Sequence, residues 1–189
     1  MYLVVGLGNP GKKYEKNRHN VGFTAADELR SSLGLPDYKE KFSGVWTRGD
    51  ALALLKPLTY MNLSGDSAQP CAAFLKVAIS DIIVLHDELD LPFGDVRLKQ
   101  GGGHAGHNGL RSLIERLGSP DFVRVRIGIG RPPPGFRGEV ADYVLSDFDP
   151  VEKAELPAVV TRVLAATKKV LAEGPQAAMN TVNQKKTTR

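Results

Sequence analysis

Four consecutive residues, Ile82-Ile83-Val84-Leu85, leave no polar position on either face of a strand, so this segment must be covered on both sides. A chain with such a strand builds a central sheet with helices packed on its faces. Other short runs fit the same sheet. Tyr2 to Leu7 is apolar and β-rich, and glycine and proline end it. Phe42 to Arg48 and Ala51 to Lys56 read as strands joined across Gly49-Asp50, a hairpin turn inverted from the usual Asp-Gly order. Gly94 to Lys99 alternates, and Val123 to Ile129 supplies a further strand.

Helical patterns lie between these runs. Asn20 can cap a helix over Val21 to Leu33, with Phe23, Ala26, Leu29 and Leu33 on one face. Ser64 can start a second, carrying Cys71, Phe74 and Leu75. Asn108 can cap a third, striped by Leu110, Leu113, Ile114 and Leu117. The last helix has the clearest start: Asp149 as cap, Pro150 at the first position and Glu152 completing a capping box. Val159, Val160, Val163, Leu164, Thr167 and Leu171 keep its period until Gly174-Pro175, and Pro157 inside it predicts a kink or a late start. The hairpin breaks a strict strand–helix–strand order. The expected fold class is therefore α/β, a single domain with a mixed, twisted central sheet flanked by helices. Residues 1–179 form the expected catalytic domain and 180–189 a polar, fraying tail.

The chain has 189 residues, 42% hydrophobic and 24% charged, which suits one core and makes disorder unexpected away from the ends. Cys71 is the single cysteine, so no intrachain disulfide or cysteine-based zinc site is possible. Met1 to Gly8 is short and lacks the basic lead of an export signal, and no run reaches the roughly 20 apolar residues of a membrane span. A cytoplasmic protein with no membrane partner is expected. Net charge of +4 is compatible with a polyanionic partner without requiring one.

All four histidines, His19, His86, His104 and His107, fall in expected loops or at strand ends beside asparagine, aspartate or glycine. His19 stands just before a helix whose positive end disfavours imidazolium, whereas a neighbouring carboxylate would favour it. Poised between the two, it suits general-base chemistry near neutral pH. Asp87, directly after the apolar strand, is the best candidate carboxylate. A half-exposed histidine capping its own helix is the plainer alternative. Asn9 and Asn62 also stand in loops; an uncharged amide can hold a carbonyl or an oxyanion. Helix capping accounts fully for Asn108. Lys99, Arg124 and Arg126, near the Gly101-Gly102-Gly103 loop, either hold phosphate or form a solvated basic face.

Other motifs are weaker. Gly6-Leu7-Gly8-Asn9-Pro10-Gly11 matches a dinucleotide-binding pattern, but Pro10 and a polar loop replace the helix, so no nucleotide cofactor is expected. The spacing of His86, His104 and His107 fits no common metal-ligand pattern. No G-x-S-x-G elbow occurs, and Cys71 reads as buried.

Read in order, several blocks together resemble the bacterial-type peptidyl-tRNA hydrolases. They are Val4-Val5-Gly6-Leu7-Gly8-Asn9-Pro10-Gly11; Tyr14 with Asn17-Arg18-His19-Asn20-Val21-Gly22; Leu55-Lys56-Pro57-Leu58-Thr59-Tyr60-Met61-Asn62; His86-Asp87-Glu88-Leu89-Asp90; Gly101 to Leu110; and Arg126-Ile127-Gly128-Ile129-Gly130. The resemblance spans nearly the whole chain. It implies a cofactor-free, metal-free monomer that hydrolyses the ester between a peptide and the 3′ ribose of tRNA, returning prematurely released tRNA to use. By the same resemblance, His19 is the base that activates water, Asp87 orients it, and Asn9 helps to stabilise the oxyanion. Asn9, Asn62 and Asn108 hold substrate, Tyr14 and Met61 line the cleft, and Lys99 and Arg126 clamp the tRNA 5′ phosphate. Asn17 stands where the family often has threonine and Ala105 where glycine is common. The three prolines at 132–134 are unusual, so no RNA contact is carried over to that loop. Two other classes compete: an RNA-cleaving enzyme pairing His19 with His104 or His107, and a non-catalytic RNA-binding protein, against which the 7% aromatic content argues.

Overall fold

In the computed structural model, which describes residues 1–184, seven strands form one sheet in the order β2-β3-β4-β1-β5-β7-β6. The strands are β1 (Tyr2–Gly6), β2 (Lys39–Lys41), β3 (Gly44–Arg48), β4 (Leu52–Pro57), β5 (Ile82–Glu88), β6 (Val96–Gln100) and β7 (Val123–Gly128). β4, β1, β5 and β7 run parallel at the centre, while β2, β3 and β6 are antiparallel additions at the edges. The sheet is mixed, as expected. The apolar run of β5 is buried throughout and lies between β1 and β7.

Among the described residues, six α-helices cover the sheet: α1 (Val21–Ser32), α2 (Ser64–Leu75), α3 (Asn108–Leu117), α4 (Val140–Val144), α5 (Pro150–Glu173) and α6 (Pro175–Val182). Alternation along each strand sends side chains into two cores. Leu3, Val5, Leu55, Ile82 and Val84 pack with Cys71, Leu110 and Leu113 of α2 and α3. Val4, Leu54, Ile83, Leu85 and Ile127 pack on the other face with Ala26 and Leu29 of α1 and Val163 and Val170 of α5. Each such aliphatic side chain withdrawn from water contributes about 1.5–3 kcal/mol before chain entropy is counted.

Several local expectations need correcting. α5 starts at Pro150 with the full Asp149/Glu152 capping box and runs without interruption through Pro157 to Glu173, so its start is not late. Pro157 is exposed, so water can serve the carbonyl that its missing N–H leaves free. Gly174-Pro175 ends α5 as expected, but Pro175 then opens α6, which carries the chain past residue 179. The expected polar tail thus begins inside a helix. Asn183 closes that segment against β6: its amide donates to the Leu98 carbonyl and accepts the Leu98 N–H, both at 2.8 Å. One amide thereby engages the outward backbone groups of Leu98, in the middle of an edge strand that would otherwise offer them to another chain. Residues 185–189 of the expected tail lie outside the described residues. The opposite edge, β2, is an exposed Lys39-Glu40-Lys41 segment that was not anticipated.

Close approach of α1 to the sheet sets the position of everything at the carboxyl edge of β1 and β5. A Cβ on Gly22 would stand 2.4 Å from the Leu85 carbonyl and 2.6 Å from that of Leu7, and one on Gly6 would stand 2.6 Å from the Gly22 carbonyl. Only paired glycines let the first turn of α1 descend this far. Glycine-to-alanine changes inside helices usually stabilise by close to about 1 kcal/mol. Here the sign reverses, because the obstacles are backbone atoms. Gly22→Ala is expected to destabilise the fold by about 2–3 kcal/mol, measured as a lower melting temperature in calorimetry.

Candidate active site

The loop after β1 is held by two asparagines. The Asn9 N–H donates to Asn20 Oδ1 at 2.8 Å, and Asn20 Nδ2 returns a bond to the Asn9 carbonyl at 2.9 Å. Asn20 precedes α1, but this exchange uses its side chain, so it makes no cap hydrogen bond. Between the two, the short turn Arg18–Asn20 presents His19 at the end of β5. His19 Nδ1 lies 2.7 Å from Asp87 Oδ2. Residues 68 positions apart in sequence thus meet.

Asp87 has a second partner that the sequence analysis did not assign. His107 Nε2 lies 2.8 Å from Asp87 Oδ1. His107, not Asn108, caps α3: its Nδ1 accepts the N–H groups of Gly109 and Leu110 at 3.1 and 3.3 Å. A nitrogen that accepts carries no proton, so the His107 proton sits on Nε2 and is donated to Asp87. The carboxylate is only 3% exposed and receives an imidazole N–H on each oxygen. Burial opposes its charge, but His19 and His107 outweigh burial and hold its pKa well below the usual carboxylate range. For His19, 8% exposed, burial acts against the imidazolium. The charge of Asp87 and its hydrogen bond prevail, and the pKa moves up. His86, directly before Asp87, is buried and donates from Nδ1 to the Asp87 carbonyl at 2.8 Å. Burial, with His107 beside it, pushes its pKa down to about 3, so it adds no positive charge near neutral pH.

With Nδ1 committed to Asp87, His19 offers Nε2 to a cleft of about 810 Å³. Asn9 lines this cleft, and its Oδ1 accepts the Met61 N–H at 2.8 Å. That bond assigns the amide's orientation and leaves Nδ2 as a free donor. Asn62 and Asn108 line the cleft as exposed amides, and Met61 forms part of its floor. Tyr60, Leu89, Val140, Val144 and Leu145 make an apolar wall, and Arg131 pairs with Asp90 at the mouth. Tyr14 is not among the lining residues; Lys13 packs over its ring. No serine, threonine or cysteine lines the cleft among the described residues, and Cys71 is buried elsewhere, with burial pushing its thiol up to about 12. Ala105, on the rim, takes φ 48°, a left-handed conformation that glycine adopts without strain.

The basic residues divide. Arg124 is 3% exposed and donates to the Gly102 and Gly103 carbonyls, so it pins the glycine loop that leads to His107 and is withdrawn from any phosphate. Arg126 donates from Nε to Glu88 Oε1 at 2.7 Å, and its Nη groups make no hydrogen bond among the described residues. Lys99 is exposed. Strand register puts Lys99 and Arg97 on the same face as Arg124 and Arg126. Glu88, which also lines the cleft, joins that basic face to it.

His19, Asp87 and His107 also offer donor atoms within 4.8 Å of one another, as metal ligands do. His19 Nδ1 and His107 Nε2 are hydrogen-bonded to Asp87, so a cation held through those two nitrogens would have to displace both protons. Gly6 and Gly8 of the dinucleotide-like pattern serve packing instead: a Cβ on Gly8 would stand 2.6 Å from the Phe23 ring.

Comparison with known proteins agrees with this geometry. Residues 3–189 match the family model described as peptidyl-tRNA hydrolase. A peptidyl-tRNA hydrolase of Sorangium cellulosum is 61% identical over 97% of this chain and 84% of its own length. One of Geotalea daltonii is 52% identical over 97% and 96%. The crystal structure of peptidyl-tRNA hydrolase from Acinetobacter baumannii superposes with a TM-score of 0.88 at 39% identity, covering 97% of this chain and 94% of that one. The chain belongs to the peptidyl-tRNA hydrolase family.

Proposed function

We infer that this protein hydrolyses the ester linking a peptide to the 3′ ribose of tRNA, with water as the nucleophile. The observation that carries the mechanism is the Asp87-oriented His19, whose free nitrogen faces a cleft lined by amides and, among the described residues, by no serine, threonine or cysteine. His19 Nε2 takes a proton from water as the oxygen attacks the ester carbonyl. Asn9 Nδ2 donates to the oxyanion that forms. Collapse breaks the bond to the 3′ oxygen, which receives the proton from His19, leaving a free tRNA and a peptide carboxylic acid that gives up its remaining proton to solvent. Asp87 steadies the transient imidazolium without itself being protonated.

Asn62 and Asn108 are read as donors and acceptors for the uncharged peptide backbone, with Met61 beneath it; Tyr14, which does not line the cleft, is given no part in it. Lys99 and the free Nη groups of Arg126 are read as the clamp on the tRNA 5′ phosphate, the salt-sensitive part of binding. We place the enzyme in the cytoplasm, where translation makes its substrate, acting as a monomer without a nucleotide cofactor. Edge strands closed by Asn183 and by the charged β2 support the monomeric state. The two-histidine RNA-cleaving alternative is disfavoured, because both nitrogens of His107 are engaged and His104 does not line the cleft.

His19→Ala should reduce turnover by roughly a hundredfold or more while unfolding stays cooperative, and wild-type product should be free peptide with tRNA of unchanged length on a denaturing gel. Normal turnover by that variant would remove the mechanism; shortened RNA would remove the reaction. Because the base must be deprotonated and its pKa is raised, the acid limb of kcat/KM should lie above the ordinary histidine value of about 6.5, and Asp87→Asn should lower both the limb and the rate. Lys99→Ala should weaken tRNA binding and reduce the salt slope by about one unit; an unchanged slope would show that Lys99 touches no phosphate.

A further inference from the structure

Arg18 stands beside the base in sequence, yet its side chain turns away from the cleft and is 6% exposed. Nη1 donates to Ser146 Oγ at 2.8 Å and to the Asp147 carbonyl. Nη2 pairs with Glu152 Oε2 at 2.6 Å. Its guanidinium stacks over the Tyr143 ring at 4.4 Å and lies 5.4 Å from that of Phe148. The backbone follows, with the Arg18 N–H donating to the Ser146 carbonyl at 3.0 Å and an isolated bridge between Asn17 and Asp147.

All these partners lie in or just after α4, or at the start of α5. Val140, Ala141 and Val144 of α4, with Leu145, line the cleft, while Tyr143 turns the opposite way onto Arg18. α4 has only five residues, too short to be stable by itself, and Val140 and Leu145 are more than two-fifths exposed. Tyr143 adds one further anchor, donating its hydroxyl to the Ile129 carbonyl at 3.0 Å. Glu152 serves twice: the carboxylate oxygen that pairs with Arg18 also accepts the Asp149 N–H in the capping box of α5. A guanidinium suits this place because it is planar, offers several donors in its own plane and stacks on rings through its faces; an ammonium does none of this at once.

We propose that Arg18 is a positioning residue that fastens α4 to the turn carrying His19, and so fixes the apolar wall against which the peptidyl part of the substrate lies. This rests on reading the cleft as the peptidyl site. Arg18 touches no reacting atom. It ties the cleft wall to the segment that places the base, so the two sides of the site keep one spacing. Loss of the tether loosens the wall and weakens binding that is shared by ground state and transition state, while the His19–Asp87 pair is left in place.

Arg18→Lys and Arg18→Met are compared with wild type by steady-state kinetics on peptidyl-tRNA and by amide hydrogen exchange. KM should rise roughly three- to tenfold with kcat within about twofold, the signature of lost uniform binding. The acid limb of kcat/KM should not move, and exchange should quicken across residues 139–149 but not in β1 or β5. Glu152→Gln, which keeps the side-chain length but removes the charge, should shift both readouts in the same direction by less, and it carries the test if Arg18→Met does not fold. Unchanged KM together with unchanged exchange in Arg18→Lys would overturn the proposal. So would a fall in kcat with a displaced acid limb at constant KM, since Arg18 would then act on His19. A wild-type protein that fails to cleave peptidyl-tRNA would defeat the functional reading, whereas the exchange comparison would still test the hold of Arg18 on α4.

Discussion

A carboxylate buried at the end of a central strand is the constraint around which this molecule is arranged. Asp87 has almost no access to water and keeps its charge only because two imidazole N–H groups are aimed at it. An unpartnered ion in that place would cost several kcal/mol. The partners come from opposite faces of the sheet. His19 arrives on the loop ahead of α1, and His107 arrives at the amino end of α3. Each has one further fixed relation: α3 amides settle the tautomer of His107, and Asp87 settles that of His19. What is left unsatisfied is a single nitrogen facing the cleft.

The remainder of the fold maintains that arrangement. Gly6 and Gly22 allow α1 to approach β1 and β5 within backbone contact. The Asn9–Asn20 exchange closes the loop between them, and the same Asn9 is turned by Met61 so that its donor end faces the cleft. Arg124 does for the glycine loop before His107 what Arg18 does for the cleft wall: a buried guanidinium replaces many small contacts where the chain has no regular structure. Asp87 thus ends a strand, while Asn9 and His19 sit on connecting segments that are tied to the sheet at several points. Glu88 lines the cleft and pairs with Arg126, so one side chain joins the cleft to the basic face.

Much of this was legible before any coordinates, and the physical reason differs from case to case. The central place of β5 followed from the absence of a polar position, and the start of α5 from the chemistry of Asp149, Pro150 and Glu152, all of which act within one turn. α6 was missed because Gly174-Pro175 reads as a stop, although proline is equally at home at the first position of the next helix. β2 was missed because Lys39-Glu40-Lys41 carries no apolar alternation. At the site, the distribution of the histidines pointed to His19, and the apolar strand pointed to Asp87. The second partner was hidden, since nothing in His107-Asn108 says which of the two caps the helix or that the histidine's other nitrogen reaches Asp87. Its place directly before a helix was the available signal. Arg124 and Arg126 alternate identically in sequence; only burial separates the one that pins a loop from the one with free donors.

The central claim concerns where two protons reside, and nitrogen-15 NMR of the histidine rings measures that directly. With the rings of wild type and Asp87→Asn labelled, the account predicts a His19 protonated on Nδ1, with Nε2 titrating above the ordinary histidine value, and a His107 whose proton lies on Nε2 while Nδ1 accepts from α3. Both signatures should change when the carboxylate is neutralised. A His19 ring carrying its proton on Nε2, or one whose titration ignores the loss of the Asp87 charge, would contradict it.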